Sequence, residues 1–272
     1  MVIMSVFTLL KKIRKFGLKE SIIKLNNRIK NNRIKEFDRF GNFFKNKSGL
    51  EIGGPSPAFM KNGYMPIYKI MGTLDGVDFS NSTVWVENIE EIKGFIINGK
   101  SVGKMYITDA TDLTQIHDNT YDFILSSNNI EHIANPMKAM EQCMLKLKPN
   151  GVLVMVVPRK EVNFDHKRET VKFTHLLDDY NNCIDEHDLT HLDEILELHD
   201  LPIDPPAGTF EQFKERSLKN YENRCLHHHV FNLNVLEQMC RYFKLTSILK
   251  KETKWDYIIV AKKESVSTLL TV

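Results

Sequence analysis

Four segments of this 272-residue chain place carboxylates, hydroxyls or glycines at the ends of short apolar runs. Leu50–Gly54 closes on Glu51-Ile-Gly-Gly-Pro-Ser-Pro57, where Gly53 and Gly54 leave the backbone open to a ligand and Pro55 stiffens the turn. The next run delivers Asp78-Phe79-Ser80, and an acid there can accept from both hydroxyls of a ribose. A third delivers Asp109-Ala110-Thr111-Asp112, a carboxylate suited to the exocyclic amine of an adenine, and a fourth ends in Ser126-Ser-Asn128-Asn-Ile-Glu-His132. Alone, each is a common turn or cap. In order, at intervals of about 20–30 residues, they describe one ligand-binding edge.

A second group of residues offers proton chemistry. Asp165-His166-Lys-Arg168 follows the fifth apolar run, and His227-His228-His229 precedes the last helical stretch. Imidazole titrates near pH 6.5, which suits a general base for a hydroxyl nucleophile. His166 is the first candidate for that base, with Arg168 holding an anionic group of the acceptor; His228 or His229 is the second. His132 reads instead as a cap of the helix that follows. His187-Asp-Leu-Thr-His191 places two imidazoles one turn apart, as in a zinc helix, but it carries Asp where that chemistry uses Glu. It reads as a helix start capped by Asp188 or Thr190, and no metal site is expected; a divalent ion bound by Asp and His of the insertion is the alternative.

These groups need a scaffold. The runs at Leu50–Gly54, Gly76–Ser80, Gly103–Thr108, Tyr121–Ser126 and Gly151–Val157 read as strands, and Met137–Leu147 as a helix stopped by Pro149-Asn-Gly151. Strands alternating with helical stretches imply a parallel sheet with right-handed crossovers. The unbroken apolar run Val152–Val157 belongs at its centre. Thr246–Lys251 and Asp256–Lys262 alternate about a short turn and read as an antiparallel pair. Residues 159–227, rich in His, Asp, Asn and Pro, break the rhythm and read as an inserted substrate cap.

Composition sets the bounds. At 42% hydrophobic, with 13 Gly and 9 Pro, the chain can bury one substantial core and is neither disordered nor collagen-like. No run of 18 apolar residues could span a bilayer. The first ten residues are apolar, but their positive charges follow them, the reverse of a secretory signal. Four dispersed cysteines suggest a reduced, cytoplasmic protein. Residues 1–47 hold 13 Lys+Arg against 3 Asp+Glu, while the remaining 225 hold 24 against 32. That basic arm, expected as two helices broken near Gly17 and a short turn near Phe40, suits phosphates or a membrane surface. The acidic body does not suit nucleic acid.

The segments LEIGGPSP, GVDFS, ITDATDL, YDFILSSNNIEHI and LKPNGVLVMVVP resemble the successive motifs of class I S-adenosylmethionine-dependent methyltransferases over about residues 48–158, with the terminal hairpin. The resemblance implies an α/β, Rossmann-like seven-stranded sheet, mostly parallel with its last strand antiparallel, and S-adenosylmethionine as cofactor. It divides the chain into an arm at 1–47, a core at 48–158 and 228–264, and a cap at 159–227. Carried onto this chain, Glu51, Gly53 and Gly54, with the loop at Pro55 and Ser56, line the methionine portion. Asp78, with Phe79 and Ser80, holds the ribose. Asp109, Ala110 and Thr111 address adenine, and Ser126 to Asn128 approach the methionine tail. Pro55 and Ser56 depart from the usual glycine-rich loop, which weakens a dinucleotide reading more than this one. FDHKR, THLLDDY and HHHVF are similar to methyltransferases of bacterial surface-glycan synthesis, such as capsule polysaccharide. They imply O-methylation of a sugar or sugar-linked acceptor; the rivals are a non-catalytic cofactor-binding scaffold and N- or C-methylation of a small metabolite.

Overall fold

The computed structural model describes residues 32–81 and 94–265. The two helices expected about Gly17 lie outside the described residues. Near Phe40 the expected turn is present, as a one-turn helix α1 (Phe37–Phe40) followed by a 3₁₀ turn at Gly41–Phe43.

Seven strands form the main sheet: β1 (Ser48–Ile52), β2 (Thr73–Asp78), β5 (Met105–Ile107), β6 (Tyr121–Ser127), β7 (Leu147–Pro158), β8 (Leu245–Glu252) and β9 (Asp256–Lys263). Their spatial order is β5-β2-β1-β6-β7-β9-β8. The first five run parallel, and β9 is antiparallel to both its neighbours, β7 and β8. The last strand in sequence is thus the antiparallel one, and it lies inside the sheet. The strand order reverses beside β1, which starts a crevice at the carboxyl ends of β1 and β6.

β7 shows why the sheet is buried on both faces. Its period of two sends Leu153, Met155 and Val157 into one core cluster and Val152, Val154 and Val156 into the other. β9 does the same, with Tyr257, Ile259 and Ala261 on one face and Ile258 and Val260 on the other. One face is covered by helices α2 (Pro136–Lys146), α3 (Phe173–Asn181) and α7 (Leu233–Tyr242), which bury Met137, Met140, Leu176, Leu236 and Met239. The other lies under irregular chain, with Phe37, Phe44, Phe59, Tyr64 and Ile67 packed against the strands.

Among the described residues, helical crossovers are fewer than the strand rhythm implies. β6 and β7 are joined through α2, but β1 and β2 are joined by two 3₁₀ turns, at Pro57–Phe59 and Ile67–Lys69. Pro55, Pro57 and Pro66 stand in that connection, where missing N–H groups prevent a continuous helix. A small hairpin, β3 (Phe95–Ile97) with β4 (Lys100–Gly103), stands beside β2. It turns at Asn98-Gly99, both at positive φ, the dihedral requirement of a tight two-residue turn.

Residues 159–227 hold α3, α4 (Leu192–Leu198), α5 (Phe210–Leu218) and α6 (Asn220–Asn223). α3 joins the main core through Leu176. Farther along, Ile195, Ala207, Phe213 and Leu226 form a separate small apolar cluster beneath the rest of the segment.

Candidate functional site

The carboxyl ends of β1, β2, β5 and β6 open on one cleft. Its wall begins at Ile52 and Gly53. The Gly53 N–H continues the ladder by donating to Val77 O at 2.9 Å, after which Gly53 takes φ +71°. A Cβ there would stand 2.4 Å from Asn129 Nδ2, so glycine is required both by its backbone and by its neighbour.

Behind this loop lies Glu51. Its strand neighbours are β2 and β6, and its carboxylate is wholly buried. It accepts from Ser56 N at 3.0 Å and from the Tyr68 hydroxyl at 2.6 Å, and burial raises its pKa to about 8. A Cβ on Gly54 would lie 2.2 Å from this carboxyl carbon. Of the residues expected at this loop, Gly53 lines the cleft, and Glu51 with Ser56 packs behind it.

From β2, Asp78 and Phe79 enter the cleft. Burial lifts the Asp78 carboxyl to about 6, opposed by N–H donation from Phe79 and Ser80. From β5, Asp109 and Ala110 complete the opposite side. Thr111 donates through both N and Oγ1 to Asp109 Oδ1, at 2.9 and 2.7 Å, so it orients the acid rather than facing the ligand. At the end of β6, Asn128 takes φ +49° and its N–H donates to Val156 O. That turn sends the next residue, Asn129, to the cleft, while Ser126 stays in the ladder between β1 and β7. The β6 contribution is thus Asn129, one residue beyond the expected stretch.

Sequence reasoning missed the far wall: His132, Ile133, Glu186 and Arg224. Arg224, in a left-handed turn that ends α6, pairs with Asp109 at 3.0 Å and Glu186 at 2.9 Å. Its guanidinium stands 5.2 Å from the Phe79 ring centroid and 5.6 Å from that of Tyr221. No spacing rule could have placed it there, because it reaches Asp109 from 115 positions away. His132 is not the cap of the following helix. Asn135 fills that role, accepting from Lys138 N, while His132 Nδ1 lies 3.0 Å from Leu226 O.

The expected catalytic residues occupy other places. His166 Nε2 lies 2.7 Å from Asp200 Oδ2 at the surface, away from the cleft. Arg168 is not available to an acceptor: its side chain is 2% exposed and it donates to Asp165, Glu194 and the carbonyls of His227 and His228. His228 is buried against Asn220, one layer behind Glu186, and burial lowers its pKa to about 4. His229 is buried beside Ala134 O. A helix does not begin within His187–His191 either. Asp188 accepts from Thr190 in a local turn, and α4 starts at Leu192.

One buried network does reach the cleft. Asp165 Oδ2 meets His227 Nδ1 at 2.5 Å, and the His227 and His132 rings meet edge to face, centroids 4.5 Å apart. Burial opposes charge on both partners, yet Asp165 raises the His227 pKa, and His227 with Arg168 holds Asp165 low. Burial, then the adjacent His227, pushes His132 well below the ordinary imidazole range. Glu131, next in line, is buried with neither carboxylate oxygen hydrogen-bonded among the described residues, and burial lifts it to about 7.

A family model described as "Methyltransferase domain" matches residues 26–204, about two thirds of the chain. The protein belongs to that methyltransferase family. Solved structures of similar shape include a SAM-dependent methyltransferase from Aquifex aeolicus, 13% identical, covering 89% of this chain and 97% of that one with a TM-score of 0.47. An S-adenosylmethionine-dependent methyltransferase from Listeria monocytogenes is 13% identical and covers 92% of this chain and 100% of its own, at 0.45. The N-methyltransferase NodS from Bradyrhizobium japonicum is 12% identical, covering 85% and 93%, also at 0.45. Among curated proteins, no sequence matches significantly. S-adenosylmethionine is the cofactor expected of this methyltransferase, and the cleft fits it. Asp78, half-buried with its carboxyl lifted to about 6, lines the cleft, Gly53 is bare where a side chain would intrude, and Asp109 is held opposite.

Proposed function

We propose that this methyltransferase O-methylates a sugar or sugar-linked acceptor, one bearing phosphate, in surface-glycan synthesis. The observation that carries the O-methylation reading is His132. It lines the cleft, and donation from its Nδ1–H to Leu226 O leaves Nε2 as the nitrogen with a lone pair. Burial keeps this ring neutral, which is the state a general base needs. When bound, S-adenosylmethionine supplies an activated methyl group. The chain's own residues would hold and orient it: Asp78 would accept from ribose hydroxyls, Asp109 from the adenine amine, and Arg224 with Phe79 would flank the adenosine end. His132 takes the acceptor proton, and the charged His227–Asp165 pair fixes the ring behind it. The sugar reading is supported by the insertion motifs and by the basic character of residues 1–47, which suits an anionic acceptor or a membrane-bound carrier.

Incubation of the full chain with methyl-labelled cofactor and a panel of nucleotide sugars and phosphorylated glycans tests this. Label on an acceptor hydroxyl is the expected result. Label on nitrogen or carbon of a small metabolite, or cofactor binding with no transfer to any acceptor, would refute it.

A further inference from the structure

Beside the cleft wall, four side chains from three separate segments converge. His175 and Asp179 lie one turn apart on the same face of α3. His191 stands just before α4, and His229 comes from the extended chain after the insertion. The ligating atoms of the three histidines all lie within 4.8 Å of one another. His175 Nε2 is 2.9 Å from His191 Nε2, Asp179 Oδ2 is 3.5 Å from His175 Nε2, and the same oxygen is 3.4 Å from His229 Nε2.

Zinc–nitrogen bonds of about 2.0–2.1 Å put the edges of a tetrahedral ligand set near 3.3 Å. The His175–His191 pair, at 2.9 Å, lies near that value, and all three imidazoles close within 4.8 Å. The polar inventory points the same way. Asp179 Oδ2 is buried and accepts no hydrogen bond among the described residues. Two imidazole nitrogens face each other, though one hydrogen at most can lie between them. A buried acceptor without a donor is costly, and a cation between these atoms removes the cost.

We propose that His175, His191 and His229 form a three-histidine site for a divalent transition-metal ion of the zinc class, with the Asp179 carboxylate beside it. Three protein ligands leave the fourth tetrahedral position open. The ion ties α3, the start of α4 and the chain at His229 together against the base of α2, where Asn135 Nδ2 donates to Asp179 O and His229 Nε2–H donates to Ala134 O at 3.2 Å. That leaves the buried His229 Nδ1, without a hydrogen-bond partner among the described residues, as the ligating nitrogen. Ile133, next to Ala134, is cleft wall. The His175 side chain is 40% exposed, which gives the ion a way in. The ligand pair suggested by spacing, His187 with His191, is not the one assembled. His187 stacks on Tyr221 with ring centroids 3.9 Å apart, and His191 meets His175 instead.

The test uses the untagged full chain, stripped with chelator and titrated with Zn²⁺ or Co²⁺ alone. One ion per chain should bind, Co²⁺ should show the intense visible bands of tetrahedral coordination, and Zn²⁺ should raise the unfolding midpoint. Loss of outer partners alone costs about 10–100-fold in metal affinity, so His175→Ala and His191→Ala should each cost at least about 100-fold. His187→Ala should bind as the native chain does. His175 is partly exposed, so its variant keeps the test open should changes at His229 prevent folding. No stoichiometric binding by the native chain, or equal binding by the native, His175→Ala and His191→Ala chains, would overturn the site.

Discussion

The strand tips and the inserted segment at 159–227 both carry chemical groups, and they acquire their places in different ways. At the tips, position follows from the ladder. Once β1, β2, β5 and β6 pair in parallel register, Gly53, Asp78 and Asp109 must emerge at one edge. In the insertion no ladder dictates direction. Arg168, with four partners among residues 165–228, is a buried clamp, while Arg224, from a left-handed turn, is the cation that faces the cleft. Regular elements transmit position along the sequence; irregular chain takes it from distant contacts.

The largest effect should come from the clamp. Arg168→Met leaves Asp165 buried with one ion-pair partner removed, a change that costs about 3–5 kcal/mol. Chemical denaturation should show that loss, whereas a residue waiting for acceptor would leave stability unchanged and raise the KM. Next, His132→Ala should reduce turnover by about 10²–10⁴-fold with cofactor affinity retained, the range for a lost general base. Equal loss in both quantities would move His132 from the chemistry to the wall.

A smaller effect concerns pH. Glu51 stays neutral in the folded chain up to about 8 but ionises from 4.5 when unfolded, so the native stability it carries falls as pH rises between those values. Glu51→Gln removes that slope. Its unfolding free energy should therefore improve relative to the native chain by up to about 1.4 kcal/mol per pH unit across this window, read by denaturation at several pH values. A difference independent of pH would mean the carboxyl is ionised in the fold. Smallest of all, His166→Ala removes a surface contact to Asp200 and should keep turnover within about twofold. A hundredfold loss would restore His166 as the base and break the contrast drawn above.

Much of the core was readable because strand runs and their ends are local properties. β7 announced its central place through β-branched and apolar residues alone, and Asp78 and Asp109 fell where strand-end reasoning put them. The β3–β4 hairpin went unread although Asn98-Gly99 is a direct turn cue, because its strands are only three and four residues long. The shift from Asn128 to Asn129 was beyond reach, since it depends on one positive φ. In the insertion the histidines could be counted but not sorted. His132 and His227 meet across 95 positions, and His175, His191 and His229 meet only once the fold has formed. The membrane question is bounded to this extent: among the described residues, no helix is long and apolar enough to cross a bilayer.

Calorimetric titration of S-adenosylmethionine into the native chain and into Asp78→Asn asks most directly whether the strand tips form one cofactor site. One molecule should bind per native chain, and Asp78→Asn, still folded, should bind at least about tenfold more weakly, the cost of about 1.4 kcal/mol for weakened acceptance from the ribose hydroxyls. Absence of binding to the native chain, or identical affinity in the two, would contradict the account.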